Sequence, residues 1–252
     1  MSFLAIVQWS IELLNGSINY WLQANIVVAF IIAVILHTLI YLVGGGIGLF
    51  LTESILPAIG IGKPLDQHPP KPNQIRRELK NGLVACLILG AMTLSYRWLC
   101  VGVWPNSWLQ AAVQIGSFVV FNNIYSYFTH RWLHTRALAR FHRVHHQSLR
   151  VTPYASYSVH PVEALIIAAT LPIFMLLVPL GVGTTLVLHA VGMIYTTCIH
   201  CNYDLMPNLS DNHWFKKMIN HPTYHRYHHT LGNVNYGFTN RILDIIFKTN
   251  KG

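Results

Sequence analysis

Ile26-Val-Val-Ala-Phe-Ile-Ile-Ala-Val-Ile-Leu-His-Thr-Leu-Ile-Tyr-Leu-Val-Gly-Gly-Gly-Ile-Gly-Leu-Phe50 runs without a single charged residue. About 20 apolar residues in a helix cross a hydrocarbon core of roughly 30 Å, so this stretch reads as a membrane span. Working outward, apolar runs at 82–103 and 107–128 are separated only by Trp104-Pro105-Asn106, which predicts an antiparallel hairpin. A second hairpin is expected from 162–180 and 183–199, broken near Pro179 and Gly181. Residues 10–21, with Trp9, Tyr20 and Trp21, suggest a short helix at headgroup depth. Gly44-Gly45-Gly46 marks close helix packing or a kink.

Composition agrees. Charged residues make up 10% of the chain and hydrophobic ones 53%, against about 25% charged in a soluble domain. The net charge is +9, but the basic residues are confined to the segments between apolar runs and no nucleic-acid motif is present, so nucleic-acid binding is set aside. Of the 17 Lys and Arg, all but Arg97 fall in 62–81, 129–161 or the C-terminal region. The excess of basic residues on the inner side of membranes places those three regions in the cytoplasm and the N-terminus outside. The expected architecture is all-α: an integral membrane bundle of about four or five helices in hairpins, under a cytoplasmic, histidine-rich helical metal cap. It is one domain over 1–252. Membrane helices occupy 1–128, a first histidine-rich region 129–161, a membrane hairpin 162–203 and a second histidine-rich region 204–252. The four cysteines, including the Cys198-Ile-His-Cys201 run, read as small apolar fillers.

The 15 histidines are unevenly spread. Three clusters stand out: His130-Arg-Trp-Leu-His134, His142-Arg-Val-His145-His146 and His225-Arg-Tyr-His228-His229. On a helix, positions i, i+3 and i+4 share a face, so each cluster is expected to direct two or three imidazoles at one point. The first two clusters would form one wall of a cage and the third would close it. Eight imidazoles exceed the needs of one first-row metal, which implies two metals. Imidazole suits iron, zinc, copper and nickel. Charge balance must then come from bridging oxo or hydroxo groups or from carboxylates behind the imidazoles, and Glu163, Asp204, Asp211 and Asp244 are the acids nearby in sequence. A metal transporter would carry its ligands inside the spans, where only His37 and His189 qualify. That rival, a non-catalytic membrane metal-binding or transport protein, fits the pattern less well, as does an inactive scaffold that kept its site.

The clusters, their order and their distances from the spans resemble the fatty acid hydroxylase superfamily of sterol desaturases, sterol methyl oxidases and fatty-acyl or sphingoid-base hydroxylases. So do His160-Pro161-Val-Glu163, His200-Cys-Asn-Tyr-Asp204, Asn220-His221-Pro222, and Asn235-Tyr236-Gly237 followed by Leu243-Asp244-Ile-Ile-Phe247. Two departures are Leu243 where the family has Trp and Lys248 where it has Gly. The resemblance implies that His130, His134, His142, His145, His146, His225, His228 and His229 are metal ligands, with His200 and His221 as further ligands. It implies supporting roles behind them for His160, Glu163, Asp204, His213, Asn235, Tyr236 and Asp244. The implied cofactors are two iron ions, replaceable by zinc, with O₂ as oxidant and no organic cofactor; no separate acid or base side chain is assigned. The implied activity is hydroxylation of a fatty-acyl, sphingoid or sterol substrate, with desaturation at the same site as the alternative. Electrons would come from a separate protein of cytochrome b5 or ferredoxin type with its reductase. Bacterial inner membrane and endoplasmic reticulum membrane both suit such a chain.

Overall fold

The computed structural model describes residues 2–210 and 213–251. Helix α1 (Phe3–Gln23) starts where the Ser2 hydroxyl accepts the Ala5 amide, and α2 (Ile26–Phe50) where the Asn25 side chain accepts the amide of Val28. α2 continues through a wider turn at Leu51–Ile55 into α3 (Leu56–Ala58). α4 (Gln74–Thr93) is followed closely by α5 (Tyr96–Leu99). α6 (Trp108–Leu133) and α7 (Ala139–His146) carry the first two histidine clusters. After a tight turn at Pro153–Tyr157 come α8 (Pro161–Ala168), α9 (Thr170–Leu177) and α10 (Val182–Ile199). The C-terminal region holds α11 (Trp214–Met218), α12 (Pro222–Leu231) and α13 (Ile242–Ile246).

The interfacial segment expected at 10–21 is part of a longer helix, 21 residues in all. Among the described residues, three helical stretches are long and apolar enough to cross a membrane: Ile26–Ala58, Gln74–Leu99 and Val182–Ile199. The sequence reading counted more. The run expected at 107–128 does form a helix, of 26 residues, but Gln110, Gln114, Asn122 and Asn123 dilute its apolar character. The run at 162–180 forms two eight-residue helices, α8 and α9, in place of one continuous arm.

Helix α2 shows how the bundle is built. Ala29, Ala33, His37, Tyr41 and Gly45 are buried, while Ile31, Ile35, Leu39 and Val43 are exposed. Each set repeats every four residues, so one face packs inward and the opposite face presents aliphatic side chains, as a helix against lipid does. Gly45 serves close packing and not a kink: a Cβ there would fall 2.3 Å from the Tyr154 ring. Gly82 on α4 lets Tyr41 approach in the same way, and the Tyr41 hydroxyl then donates to the carbonyls of Glu78 and Tyr154 at 3.0 and 2.9 Å.

Two apolar clusters fill the interior. One joins Ile18, Trp21 and Ala29 to Tyr96, Leu171 and Phe174; the other joins Tyr41, Ala85 and Leu89 to Tyr157, Ala168 and Met193. The loop before α4 is tied down by a two-residue antiparallel pair, β1 (Lys63–Pro64) against β2 (Tyr203–Asp204). Glu78, on α4, holds the segment that leads away from α7. Its carboxyl group is fully buried and accepts from Gln74 Nε2 at 2.7 Å, Ser148 Oγ at 2.6 Å and Thr152 Oγ1 at 2.5 Å.

Candidate metal centre

His130 and His134 sit in the last turn of α6 and at its C-cap, past the end of the apolar run. α7 supplies His142, His145 and His146, and α12 supplies His225, His228 and His229. α12 starts from Pro222, whose missing amide hydrogen costs nothing at a first helical position, and ends at Gly232, where φ is +79°. His200 caps α10.

These side chains form two groups. His130, His134, His142, His146 and His228 bring one ring nitrogen each within 4.8 Å of one another, and so do His145, His200, His225 and His229. Each cluster does direct two imidazoles at one point, as its spacing predicts, and the third histidine of the second and third clusters goes to the other group. His142 and His146 turn to the first group and His145 to the second; His225 and His229 turn to the second and His228 to the first. A helix turns about 100° per residue, so adjacent histidines diverge and i, i+4 pairs converge. The groups are neighbours, with the rings of His146 and His229 5.0 Å apart.

Within the first group, Nε2 of His142 lies 3.1 Å from those of His130 and His146, and Nε2 of His228 lies 3.0 Å from His146 and 3.3 Å from His134. In the second, Nε2 of His200 is 3.3 Å from His145 and 2.9 Å from His225, and His225 is 3.2 Å from His229. Two nitrogens each about 2.1 Å from one ion, at angles between octahedral and tetrahedral, stand about 3.0–3.4 Å apart.

The protons point the same way. His130 Nδ1 donates to the Tyr236 carbonyl at 3.0 Å, His228 Nδ1 to Val234 at 2.7 Å and His200 Nδ1 to Thr196 at 2.7 Å. His142 Nδ1 donates to Glu163 Oε1 at 2.7 Å. With Nδ1 carrying the hydrogen, each Nε2 presents a bare lone pair, and lone pairs packed at 3 Å need a cation between them. Burial keeps these imidazoles uncharged. It pushes His130 and His146 down to about 4 and His134 to about 3, and it holds His142, His145, His225, His228 and His229 well below the ordinary value. Neutral imidazole is the form that ligates. The donor set fits two divalent ions.

Behind the ligands, support is uneven. Glu163 is buried at the start of α8 and touches His142 directly. Asp244 works at one remove: it accepts the amides of Tyr236 and Gly237 at 2.9 and 2.7 Å and the Thr249 hydroxyl at 2.7 Å. It thereby fixes the turn whose carbonyl orients His130. Asn235, at φ +58°, closes that turn by bonding the backbone of Tyr224 and Lys251.

Four expected residues stand elsewhere. His221 belongs to neither group and sits at the start of α12 beside Tyr224. His160 and His213 cap α8 and α11, each accepting a backbone amide on Nδ1. Asp204 accepts the Met206 amide in the turn after β2. Asp211 lies outside the described residues. Glu78 was missed, although it is the one acid in the basic run at 76–80.

A cavity opens against both groups. Its lining includes His130, His142, His145, His200, His225 and Glu163 together with Leu133, Val159, Ile166, Ile167 and Phe238, and a few polar side chains such as Asn122 and Thr196.

The model of the fatty acid hydroxylase family matches residues 115–249, the part that carries every histidine of the two groups. The chain is 27% identical to a Delta(7)-sterol 5(6)-desaturase of Gibberella zeae, over 69% of this chain and 55% of the relative. It is 31% identical to lathosterol oxidase of Rattus norvegicus, over 54% and 44%, and 30% identical to a Delta(7)-sterol 5(6)-desaturase of Eremothecium gossypii, over 66% and 48%. The chain spans about half the length of these relatives. No solved structure gives a significant match.

Proposed function

This chain belongs to the fatty acid hydroxylase family, and from that premise we propose that it is a membrane-bound di-iron enzyme that uses O₂ to oxidise a C–H bond of a lipid. The observation that carries the reading is the pair of histidine groups whose bare Nε2 atoms converge beside an apolar cavity. His130, His134, His142, His146 and His228 would hold one ion, and His145, His200, His225 and His229 the other. Bound iron would supply O₂ activation and C–H oxidation at this point. Zinc, which takes the same ligands, would occupy the site without redox chemistry.

The chain's own residues do the rest. Glu163 orients His142 and, with the cations bound, would supply a negative charge that the imidazoles lack. Asp244 and Asn235 hold the turn that aligns His130. Leu133, Val159, Ile166 and Ile167 present the substrate carbon and keep water away. Hydroxylation and desaturation each consume O₂ with a pair of electrons and a pair of protons and make water, so the reading calls for an electron donor, for which a cytochrome b5 or ferredoxin type protein with its reductase is the proposed source. The relatives' names favour desaturation as the second reading, with a sterol as substrate. The basic segments support an orientation with the histidine groups on the cytoplasmic side, in a bacterial inner membrane or an endoplasmic reticulum membrane.

The test is lipid mass spectrometry on cells making the intact chain or His145→Ala/His146→Ala, grown with iron in air. A species that gains one oxygen or loses two hydrogens only with the intact chain supports the reading and names the lipid. An unchanged profile, with iron loading verified and a reductase supplied, overturns it.

A further inference from the structure

The cavity at the metal centre does not end there. A second cavity deeper in the bundle shares Asn122, Tyr157, Ile167, Thr170, Thr196 and Phe238 with the first. It continues between Leu89, Phe118, Leu171, Leu188 and Met193 to His189. His189, Met193, Thr196 and His200 follow one another at i+4, i+3 and i+4, so a single face of α10 lines the path from the inner end to the metals.

At that inner end stands a polar group that no metal uses. The Tyr96 hydroxyl lies 3.1 Å from His189 Nδ1. The His37 ring packs edge-on to His189 at 4.6 Å and is itself held by the Ala33 carbonyl at 2.8 Å and Thr93 at 3.4 Å. Tyr96 is fully buried; with its hydroxyl donating to Nδ1, the tautomer proposed here, the His189 hydrogen is on Nε2. That Nε2 is buried and has no hydrogen-bond partner among the described residues. An ionisable side chain facing a cavity among membrane helices is far more often functional than structural.

We propose that His189, set by Tyr96 and His37, binds an uncharged oxygen of the lipid, a hydroxyl or a carbonyl, at the far end of the substrate cavity. A neutral N–H donor in an apolar pocket recognises such an oxygen, whereas a carboxylate or phosphate headgroup would be stripped of water without a counter-charge. The inference rests on the reading of the cavity as a lipid site. His189 and His200 are eleven residues apart on α10, about 16 Å along its axis. The carbon presented to the metals is therefore remote from the anchored oxygen: a sterol held by its ring hydroxyl would offer its tail, and not the ring position named for the 5(6)-desaturases.

The experiment measures binding, without turnover, in detergent-solubilised protein. Labelled octadecanol is compared with octadecane and stearate, and cholesterol with cholestene, its analogue lacking the hydroxyl. One hydrogen bond predicts about five-fold tighter binding of each alcohol than of its hydrocarbon. His189→Leu should erase that ratio while leaving hydrocarbon binding unchanged, and His189→Gln should restore part of it. The relative strength of the two pairs tells an alkyl from a sterol frame. Equal binding of alcohol and hydrocarbon by the unaltered protein, a ratio that survives in His189→Leu, or a preference for stearate overturns the proposal. If the ratio is present but no lipid is ever oxidised, this site stands and the oxygenase reading falls.

Discussion

Replacing Glu163 tests how far the metal centre depends on what lies behind it. Its Oε1 accepts from His142 Nδ1 at 2.7 Å, and both side chains are buried, so solvent neither screens the contact nor replaces it. A hydrogen bond to a charged partner contributes about 1.5–3 kcal/mol, and each 1.4 kcal/mol is about a factor of ten. Glu163→Leu should therefore weaken metal binding by about 10- to 150-fold, in line with the usual effect of such partners. Glu163→Gln keeps an acceptor but not the charge; a neutral bond has about half the strength, which predicts about a 3- to 10-fold loss. The loss should fall on one ion only, because His142 belongs to the first group and Glu163 bonds to no histidine of the second among the described residues. Metal content after dialysis against graded chelator, read by mass spectrometry on protein of verified helicity, gives the answer. Two ions retained at unaltered affinity in Glu163→Leu, or both lost together, would refute the reasoning.

Further outcomes follow from the same contacts. Asp244→Ala removes a fully buried acceptor from three donors; it should cost about 3 kcal/mol and lower the thermal midpoint in detergent, whereas an unmoved midpoint would show that the turn holds itself. Glu78→Gln should destabilise by a similar amount, because its amide turns a donor towards Gln74, Ser148 or Thr152; limited proteolysis at 147–153 is the measurement, and unchanged protection is the contrary result. Metal-free protein should lose stability as pH falls from about 6.5, where unfolded histidine titrates, to about 4, where His130 and His146 titrate in the fold. The folded values are the lower ones, so the unfolded chain takes up the protons, and each such histidine removes at most about 1.4 kcal/mol per pH unit in that window. Denaturant midpoints that stay level across it would contradict the burial argument.

Much of this centre is legible in the sequence because its information is local. Spacing within one helix fixes which imidazoles share a face, so nine of the ten expected ligands gather in the structure, His200 among them. Only the partition between two groups needs coordinates, since it depends on where α6, α7, α10 and α12 cross. His221 shows the limit: its proximity in sequence to His225 says nothing of direction, and as the N-cap, with extended backbone, it lies outside the helical spacing that aligns the residues after it. The supporting contacts are less legible still. Glu163 reaches His142 across 21 residues, and Glu78 reaches Thr152 across 74; no periodicity encodes either pairing. The membrane helices err differently. Hydropathy finds α2 because its whole length is apolar, but α6 carries Gln and Asn, and two of them turn inward: Gln114 bonds the Pro179 carbonyl and Asn123 accepts from Thr239. Those polar residues lower the apparent hydropathy of a helix whose outer face stays apolar at Val113, Val120 and Ile124. His189 follows the same logic. A polar residue inside a span is unreadable from its own position, and becomes informative only once its hydrogen-bond partners are known and one of its nitrogens is found without any.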